Sequence, residues 1–275
     1  MDTIGFIGAG NMAEAFIKGI IASGLFNPND VMAADVRDAR LEFLREEYGI
    51  RTTTDNGILA AESAIVFLSV KPQNMTKMLS GIAGKLRDDV LVISIAAGVT
   101  TDYLAKRLGD VPIIRTMPNT PAMVDEGATA IFNRNASPQA LQRAVDLFGA
   151  IGKVVVLDDE GLLDAVTAVS GSGPAYFFLL MEEMVRSAEE LGIPSDAAEE
   201  LVYQTAKGAG ALAMMAYARN ESPADLRRKV TSPGGTTEAA MRVFREGNFS
   251  GSVFAAIGRA RDRSCELSEE VESNE

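Results

Sequence analysis

The sequence contains no histidine, and Cys265 is its single cysteine. Without histidine the chain cannot use an imidazole base, a Ser-His pair or a His-ligated metal, and one cysteine cannot build a zinc-thiolate site or an intrachain disulfide. Cys265 lies in a polar C-terminal stretch, so we interpret it as an ordinary thiol in a reducing compartment. We therefore expect no metal site, and chemistry that depends on a bound cofactor.

Long apolar runs and positive charge are also scarce. No segment of the 275 residues approaches the roughly 20 uninterrupted apolar residues that a membrane span requires. The net charge of −12 argues against a nucleic acid or an anionic membrane as partner, because both are bound mainly through Lys and Arg. Met1 leads directly into a glycine-rich turn instead of the apolar run of a signal peptide, so we expect a cytoplasmic protein. Acidic residues crowd the C-terminus, and we expect the following ones to form a solvated tail: Glu266, Glu269, Glu270, Glu272 and Glu275.

The first half of the chain alternates short β-rich runs with amphipathic helical stretches, the pattern of a parallel sheet with helices on both faces. We predict six strands and two later ones that extend the same sheet, at Thr3 to Ile7, Val31 to Asp35, Arg51 to Thr53, Ala64 to Val70, Val90 to Ser94, Ile113 to Thr116, Ala128 to Phe132 and Lys153 to Leu157. The predicted helices between them are Met12 to Ser23, Asp38 to Tyr48, Asn74 to Lys85 and Pro138 to Gly149, the last with Ser137 as its N-cap.

After about Asp159 the strands disappear, and we predict a second, all-helical domain. One helix runs from Tyr176 to Leu191, and the next is capped by Ser195-Asp196 and continues through Ala213 or beyond. The small residues from Ala206 to Ala211 weaken this second helix unless another helix packs closely against it.

A glycine-rich segment, Gly8-Ala9-Gly10-Asn11-Met12-Ala13, follows the first strand and opens the first helix. This G-x-G-x-x-A pattern in a first βα turn is typical of dinucleotide binding: Gly8 gives the turn its backbone conformation, and Gly10 lets a pyrophosphate approach the helix N-terminus. Asn11 and Met12 belong to the same site. The alternative is a tight turn without a ligand.

An acidic residue, Asp35, ends the second strand 27 positions after Gly8. A carboxylate there is suited to the hydroxyl groups of an adenosine ribose, which favours NAD. Arg37 and Arg40 lie just beyond and could instead meet a 2′-phosphate or form a solvated helix start, so NADH and NADPH both remain open. We add to the cofactor set the residues at the carboxyl ends of the fourth and fifth strands, which are Val70, Lys71, Pro72 and Ala96. Lys71 could contact a phosphate or a carboxylate, or it could be an ordinary surface lysine.

Three further segments resemble those of a known family. Arg115-Thr116-Met117-Pro118-Asn119-Thr120-Pro121 is similar to the R-x-M-P-N-x-P stretch of the pyrroline-5-carboxylate reductases, and Ser170-Gly171-Ser172-Gly173-Pro174-Ala175 to their G-S-G-P-A segment. The third, Val230-Thr231-Ser232-Pro233-Gly234-Gly235-Thr236-Thr237, resembles the signature V-x-S-P-G-G-x-T. Since order, spacing and length also match, the resemblance covers nearly the whole chain.

The resemblance implies an α/β Rossmann-like N-terminal domain, 1–159, followed by an all-α dimerisation domain, 160–275. It implies reduction of 1-pyrroline-5-carboxylate to L-proline with NADPH or NADH, the last step of proline biosynthesis. It also implies an interlocked homodimer, which some members assemble into a decamer, with substrate between the nicotinamide and the Ser232–Thr237 loop. Asp35 departs from many relatives, which carry a small polar residue near this position and often prefer NADPH.

Reduction of a cyclic imine requires little acid-base chemistry from the protein, because a protonated C=N bond is already electrophilic. Our hypothesis is that Thr237 hydrogen-bonds the ring nitrogen, that Thr236 and Ser232 support the carboxylate, and that backbone N–H groups around Gly235 bind it as an anion. Water or substrate supplies the proton. Without the resemblance, the two threonines would be ordinary capping residues.

Two residues of the family segments are assigned to the nicotinamide end. Ser172 could approach the nicotinamide or belong to a helix start whose glycines serve packing. Asn119 could support the carboxamide or shape its own Pro-rich turn.

Two rival functions are weighed. A β-hydroxyacid dehydrogenase uses a helical lysine with an asparagine one turn away, but here Lys207 is followed one turn later by Ala211. A nucleotide-binding sensor without turnover would keep the fold, but the presence of Ser232 and Thr237 argues against it.

Overall fold

The computed structural model describes residues 3–273, and its first half is built around one eight-stranded sheet. The strands are β1 (Ile4–Ile7), β2 (Val31–Ala34), β3 (Arg51–Thr53), β4 (Ile65–Leu68), β5 (Leu91–Ser94), β6 (Ile113–Met117), β7 (Gly127–Asn133) and β8 (Gly152–Leu157). Their order across the sheet is β3-β2-β1-β4-β5-β6-β7-β8. All eight predicted strands are found, each within two residues of its predicted ends.

The direction of the strands changes once, between β6 and β7. Strands β1 to β6 are parallel, β7 is antiparallel to β6, and β8 is parallel to β7. The parallel strands are linked by helical crossovers, whereas β6 and β7 are joined by a short loop with a 3₁₀ turn at Thr120–Val124. Since a short connection cannot return the chain to the starting edge of the sheet, β7 has to run in the opposite direction.

Helices cover both faces of the sheet, as predicted. In this half they are α1 (Asn11–Ala22), α2 (Asp38–Tyr48), α3 (Asn56–Glu62), α4 (Met75–Ile82), α5 (Thr101–Leu108) and α6 (Pro138–Gly149). On one face Phe16 of α1 and Phe148 of α6 pack with Phe6 and Phe67 of the sheet, and on the other Leu79 of α4 belongs to a second buried cluster. Strands buried on both faces explain the unbroken apolar runs in the sequence.

Two helices, α3 and α5, were not predicted from the sequence. Both are short, and their N-caps hold them: Asp55 accepts from the N–H groups of Gly57 and Ile58, and the Thr100 hydroxyl accepts from Tyr103 N–H. The predicted Ser137 N-cap of α6 is confirmed, since its hydroxyl accepts from Ala140 N–H.

The remainder of the chain is helical, as predicted. It contains α7 (Leu162–Val166), a π-helical turn (Thr167–Gly171), α8 (Gly173–Glu190), α9 (Ser195–Tyr217), α10 (Pro223–Lys229), α11 (Thr236–Glu246) and α12 (Phe249–Ser273). The predicted cap of α9 is wrong: Pro194 is its N-cap, and the Asp196 carboxylate accepts only from the adjacent Ala197 N–H. No described helix is long and apolar enough to cross a membrane.

The chain forms two compact units, the smaller of which is Ala175–Gly258. The larger unit comprises the residues up to Pro174 together with those from Arg259 onward. This division differs from the boundary proposed at Asp159, because Leu163 of α7 is buried against the sheet unit and α12 returns to it. A boundary based on strand content cannot detect such a return. The chain passes between the units within α8 and again within α12.

The C-terminal stretch was expected to be a solvated tail, but up to Ser273 it is part of helix α12. The Ser264 hydroxyl donates to Asp164 at 2.7 Å, and Glu272 accepts from the Thr100 hydroxyl at 3.0 Å. Within the helix, Arg263 pairs with Glu270 at 2.7 Å. Glu266, Glu270 and Glu272 thus make contacts within the helix or with α5's N-cap residue, while Glu269, Glu270 and Glu272 remain exposed to solvent as expected. Glu275 lies outside the described residues.

Candidate active site

The glycine-rich turn lies at the carboxyl end of β1, beside β4, where the order of the strands reverses. Gly8 has φ +94°, and a Cβ there would lie 2.8 Å from the Ser69 carbonyl oxygen, so no other residue fits. Gly10 has φ −72°, and a Cβ there would project into open space with no atom within 4 Å. Position 8 therefore requires glycine because of the backbone conformation. At position 10 the missing side chain instead leaves space for a ligand to approach the backbone.

Helix α1 begins directly after Gly10, which is its N-cap and supplies no side-chain cap. The first N–H groups of the helix, among them those of Asn11 and Met12, therefore have no partner from the helix or from a cap. Free N–H groups and the helix dipole together form a site for a phosphate. Open space at Gly10 and uncapped N–H groups fit the pyrophosphate of a dinucleotide.

Neighbouring side chains hold the turn from outside. Ser69 donates its hydroxyl to the Gly8 carbonyl at 2.6 Å. Arg40 of α2 donates to the Ala9 carbonyl at 2.6 Å and to the Gly10 carbonyl at 3.4 Å, and it also pairs with Glu14. The contact of Ser69 was not predicted from the sequence. Arg40 was one candidate for a 2′-phosphate contact, but its guanidinium is hydrogen-bonded to the turn and paired with Glu14.

Asp35, directly after β2, is 9% exposed and lies against the same turn. Its Oδ2 accepts from Ala9 N–H at 2.9 Å, and its Oδ1 accepts from the backbone N–H of Arg37 at 3.0 Å. The Arg37 guanidinium donates to both oxygens, at 2.9 and 3.0 Å. Burial alone would raise the pKa of Asp35, but the hydrogen bonds from Arg37 and from Ala9 N–H outweigh it, and the pKa lies below its ordinary value. Asp35 is therefore an ionised carboxylate fixed beside the turn.

The other predicted cofactor residues of the sheet unit lie at the same carboxyl edge. Val70, Lys71 and Pro72 follow β4, and Ala96 follows β5. Val70 and Pro72 are half-buried, Ala96 is buried, and Lys71 is exposed. In open α/β sheets ligands bind at this edge, so the positions suit the assigned roles, which stay predictions.

Asn119 is buried, and both ends of its side-chain amide are engaged. Its oxygen accepts from Ala128 N–H at 2.8 Å, and its nitrogen donates to the Ser170 carbonyl at 3.0 Å. Asn119 thus links the start of β7 to the π-helical turn that precedes α8, which favours the loop-shaping alternative. Ser172 directly follows this turn and donates its backbone N–H to Thr167 at 2.8 Å. A role of either residue at the nicotinamide stays a prediction.

A buried ion pair near this edge was not anticipated. Arg115 of β6 is 2% exposed and donates Nη1 to Glu160 at 2.9 Å, while Glu160 also accepts from the backbone N–H and the hydroxyl of Thr101. Arg115 Nε and Nη2 have no partner among the described residues. The pair ties β6 to the segment before α7 and to the start of α5. An arginine inside the apolar strand Ile113–Met117 was the available signal.

The loop of the second unit, Ser232 to Thr237, leads into α11. Gly234 has φ +72°, a backbone conformation that favours glycine. Gly235 has an ordinary φ of −83°, but a Cβ there would lie 2.6 Å from the Ser232 hydroxyl, so a larger residue would displace that side chain. The N–H groups of both glycines are already paired, because Gly234 N–H donates to Glu238 at 2.8 Å and Gly235 N–H to the Ser232 carbonyl at 3.0 Å. The two glycines therefore offer no free N–H group to an anion, and of the expected donors around Gly235 only those from Thr236 onward, at the start of α11, are uncapped. Their role in binding an anion stays a prediction.

Thr236 and Thr237 are the first two residues of α11, and Gly235 is its N-cap without a side-chain cap. The threonines therefore do not cap the helix, and within the described residues their hydroxyl groups make no hydrogen bond. The N–H groups of the first turn of α11 and two hydroxyl groups thus remain available to a ligand. This arrangement suits a carboxylate, which prefers a helix N-terminus.

The Cys265 thiol lies on α12, exposed, with its sulfur 3.6 Å from Asp164 Oδ2. Local burial and the negative charge of Asp164 raise the pKa of Cys265 above its ordinary value. A raised pKa disfavours the thiolate, so the structure agrees with an ordinary thiol.

The doubly wound sheet, the glycine-rich turn with Asp35, and the helical second half define the class of this chain, a nicotinamide-dependent oxidoreductase. Residues 3–98 match the family model for NADP oxidoreductases, coenzyme F420-dependent, and residues 160–267 match the family model for pyrroline-5-carboxylate reductase dimerisation.

Whole-chain relatives narrow the class. A pyrroline-5-carboxylate reductase of Pseudomonas aeruginosa is 43% identical over 98% of this chain and 97% of its own length. A pyrroline-5-carboxylate reductase structure from Coxiella burnetii matches with a TM-score of 0.89 at 39% identity, over 97% of this chain and 98% of its own. The Plasmodium falciparum pyrroline carboxylate reductase with NADP bound matches with a TM-score of 0.86 at 25% identity, with the same coverage of both chains. This chain belongs to the pyrroline-5-carboxylate reductase family.

Proposed function

We propose that this chain reduces the ring C=N bond of L-1-pyrroline-5-carboxylate to give L-proline, the last step of proline biosynthesis. Membership in the family supports the reaction, and the uncapped N-terminus of α11 with its two free threonine hydroxyl groups is the observation that carries the substrate assignment. NADPH or NADH supplies the hydride when bound.

The sheet unit of this chain binds the cofactor. The N–H groups of α1 hold the pyrophosphate, with Gly10 leaving room for it, and Asp35 and Arg37 face the adenosine ribose. Val70, Lys71, Pro72 and Ala96 line the carboxyl edge of the sheet, and Asn119 and Ser172 support the nicotinamide end.

The helical unit binds the substrate. The N–H groups at the start of α11, with the Thr236 and Ser232 hydroxyl groups, hold the carboxylate, and Gly235 keeps the loop in the conformation that exposes them. Thr237 donates or accepts a hydrogen bond at the ring nitrogen, and the proton comes from water or from the substrate. No histidine or metal is needed, since a protonated imine already attracts hydride.

We further propose that the protein works as an interlocked homodimer, which can assemble into a decamer. In the unit Ala175–Gly258 the buried apolar residues are only Ala198, Val202 and Ala216, far too few for a core. The following large apolar side chains of its helices are exposed instead: Phe177, Phe178, Leu179, Leu201, Leu212, Met214, Met215 and Phe254. A second copy of the chain would bury this surface.

The small residues of α9 support the same assembly. A Cβ on Gly208 or Gly210 would meet no atom within 4 Å, so the close helix packing that these residues predict is not supplied within the described chain. The single cysteine supports a reducing, cytoplasmic location, and the negative net charge supports a small-molecule substrate rather than a nucleic acid or a membrane.

The test is oxidation of NADH and NADPH, followed by nicotinamide absorbance, with 1-pyrroline-5-carboxylate at neutral pH. Turnover that yields L-proline would support the proposal. Cofactor binding without turnover would instead indicate a sensor. Reduction of NAD+ or NADP+ by a β-hydroxyacid, without reduction of the imine, would indicate a dehydrogenase of that type.

A further inference from the structure

The carboxylate of Asp35 is saturated with hydrogen bonds in this structure. Oδ1 accepts from the backbone N–H and the Nε of Arg37, and Oδ2 accepts from Ala9 N–H and the Nη2 of Arg37. Two carboxylate oxygens offer about four acceptor positions. All four are occupied, so a ribose hydroxyl can donate to Asp35 only after one of the present donors has left.

The Arg37 guanidinium is the donor that can leave at least cost. The N–H groups of Ala9 and Arg37 belong to the backbone of the glycine-rich turn and of the start of α2, whereas the Arg37 side chain is 61% exposed. A guanidinium that is released from an exposed pair returns to water, which lowers the cost of breaking the pair. The charge of Asp35 is then free toward the ligand.

Arg40 cannot take over the role of Arg37. Its side chain is 17% exposed and donates to the carbonyl groups of Ala9 and Gly10, besides its ion pair with Glu14. Moving Arg40 toward a ligand would break the contacts that hold the turn. Arg37 is therefore the cation beside Asp35 that is free to meet a phosphate.

We propose that Arg37 sets the cofactor preference of this chain by exchanging Asp35 for the 2′-phosphate of NADPH, so that one site accepts both cofactors. When NADH binds, Arg37 leaves Asp35 and the carboxylate accepts the ribose hydroxyl groups. When NADPH binds, the released guanidinium neutralises the phosphate, which would otherwise meet the charge of Asp35 alone. The use of NADPH therefore depends on Arg37, and the use of NADH depends on Asp35.

The inference rests on the proposed dinucleotide site, and its test is binding rather than turnover. Calorimetry on the full-length protein measures the Kd of NADH, NADPH, adenosine 5′-monophosphate and adenosine 2′,5′-bisphosphate without any imine. The two adenosine nucleotides differ only in the 2′-phosphate. The variants are Arg37→Ala and Asp35→Asn, with Arg45→Ala as the control, because Arg45 is an exposed arginine of the same helix that pairs with Glu42.

In Arg37→Ala we expect the Kd of NADPH and of the 2′,5′-bisphosphate to rise at least about tenfold, since a charge-assisted contact is lost. The Kd of NADH and of the monophosphate should stay the same or fall, because Asp35 no longer has to be vacated. Asp35→Asn keeps an oxygen for Ala9 N–H but loses the charge, so it should weaken NADH and strengthen NADPH. Arg45→Ala should change neither.

The proposal is overturned if Arg37→Ala weakens both cofactors alike, or neither, or if Asp35→Asn leaves the ratio of the two Kd values unchanged. Far-ultraviolet circular dichroism of each variant identifies a loss of fold, in which case Arg37→Lys replaces Arg37→Ala and should retain NADPH binding. If the expected split in binding occurs but 1-pyrroline-5-carboxylate is not reduced, the proposed reaction fails while the role of Arg37 stands.

Discussion

At the scale of the residue, the proposed substrate contact of the Thr237 hydroxyl can be tested by a single substitution. Its hydroxyl makes no hydrogen bond among the described residues and lies at the uncapped start of α11. Thr237→Ala should lower kcat/KM for the imine at least about fivefold, because a substrate hydrogen bond of the usual ~1 to 3 kcal/mol is lost. Steady-state kinetics with saturating cofactor provide the measurement.

The matched control is Thr237→Ser, which keeps the hydroxyl and should retain most of the activity. The Kd of the cofactor should be unchanged in both variants. Wild-type kcat/KM in Thr237→Ala would contradict the role of the Thr237 hydroxyl and leave substrate binding to the groups assigned to the carboxylate.

Substitution of Arg40 should weaken the binding of both cofactors equally, whereas substitution of Arg37 should weaken mainly the binding of NADPH. By donating to the carbonyl groups of Ala9 and Gly10, Arg40 orients the peptide units whose N–H groups belong to the proposed pyrophosphate site. Arg40→Met should therefore weaken NADH and NADPH by the same factor, about tenfold, since the pyrophosphate is common to both. Calorimetry with the two cofactors measures it, and Arg40→Lys should restore part of the affinity. A change in the ratio of the two Kd values would instead assign Arg40 to the 2′-phosphate.

At the scale of the element, the turn between β1 and α1 uses its two glycines differently: Gly8 is required by the backbone conformation, and Gly10 leaves space for a ligand. Gly10→Ala places a methyl group in open space at φ −72°, so the free energy of unfolding should change by less than about 1 kcal/mol while cofactor affinity falls at least about tenfold. Gly8→Ala forces a Cβ to 2.8 Å from the Ser69 carbonyl at φ +94°, so it should destabilise the fold by roughly 1 to 3 kcal/mol.

Urea unfolding and cofactor titration on both variants distinguish the two cases. If Gly10→Ala bound the cofactor like the wild type, the pyrophosphate would not approach the start of α1. If Gly8→Ala were as stable as the wild type, the turn would be able to relax, and the conformation at Gly8 would not be required for the fold.

At the scale of the whole molecule, a helical unit with three buried apolar residues predicts that folding depends on association. For a homodimer, each tenfold rise in protein concentration adds about 1.4 kcal/mol per dimer to the free energy of unfolding, so Tm should rise with concentration. Phe178→Glu, on the exposed apolar surface of α8, should lower Tm and shift the protein toward monomers in sedimentation measurements.

Ile58→Glu is the control, because Ile58 is an exposed apolar residue on α3 of the sheet unit. It should change neither Tm nor the mass in solution. A Tm that does not depend on concentration, together with a monomeric mass for the wild type, would contradict the proposed assembly.

Much of this molecule could be predicted from local patterns. The eight strands follow from short apolar runs, the glycine-rich turn from Gly8 and Gly10 between a strand and a helix, and the family from three segments that include Ser232 to Thr237. These features depend on neighbours within a few residues, or on motifs whose order along the chain is visible. Helices α3 and α5 have seven and eight residues, about two turns each, which is too short for the apolar spacing to repeat, and both begin at a capping side chain.

The sequence by itself determined the sheet, the first βα turn, the helical second half and the family, because each of them depends on residues that are close together in the chain. Only the tertiary structure decided that Arg37 pairs with Asp35 while Arg40 holds Ala9 and Gly10, and that the residues from Arg259 onward return to the sheet unit. The physical reason is that several groups could form the same hydrogen bond or packing contact, and only their positions in the folded chain decide which one does. Composition and spacing along the sequence do not give those positions.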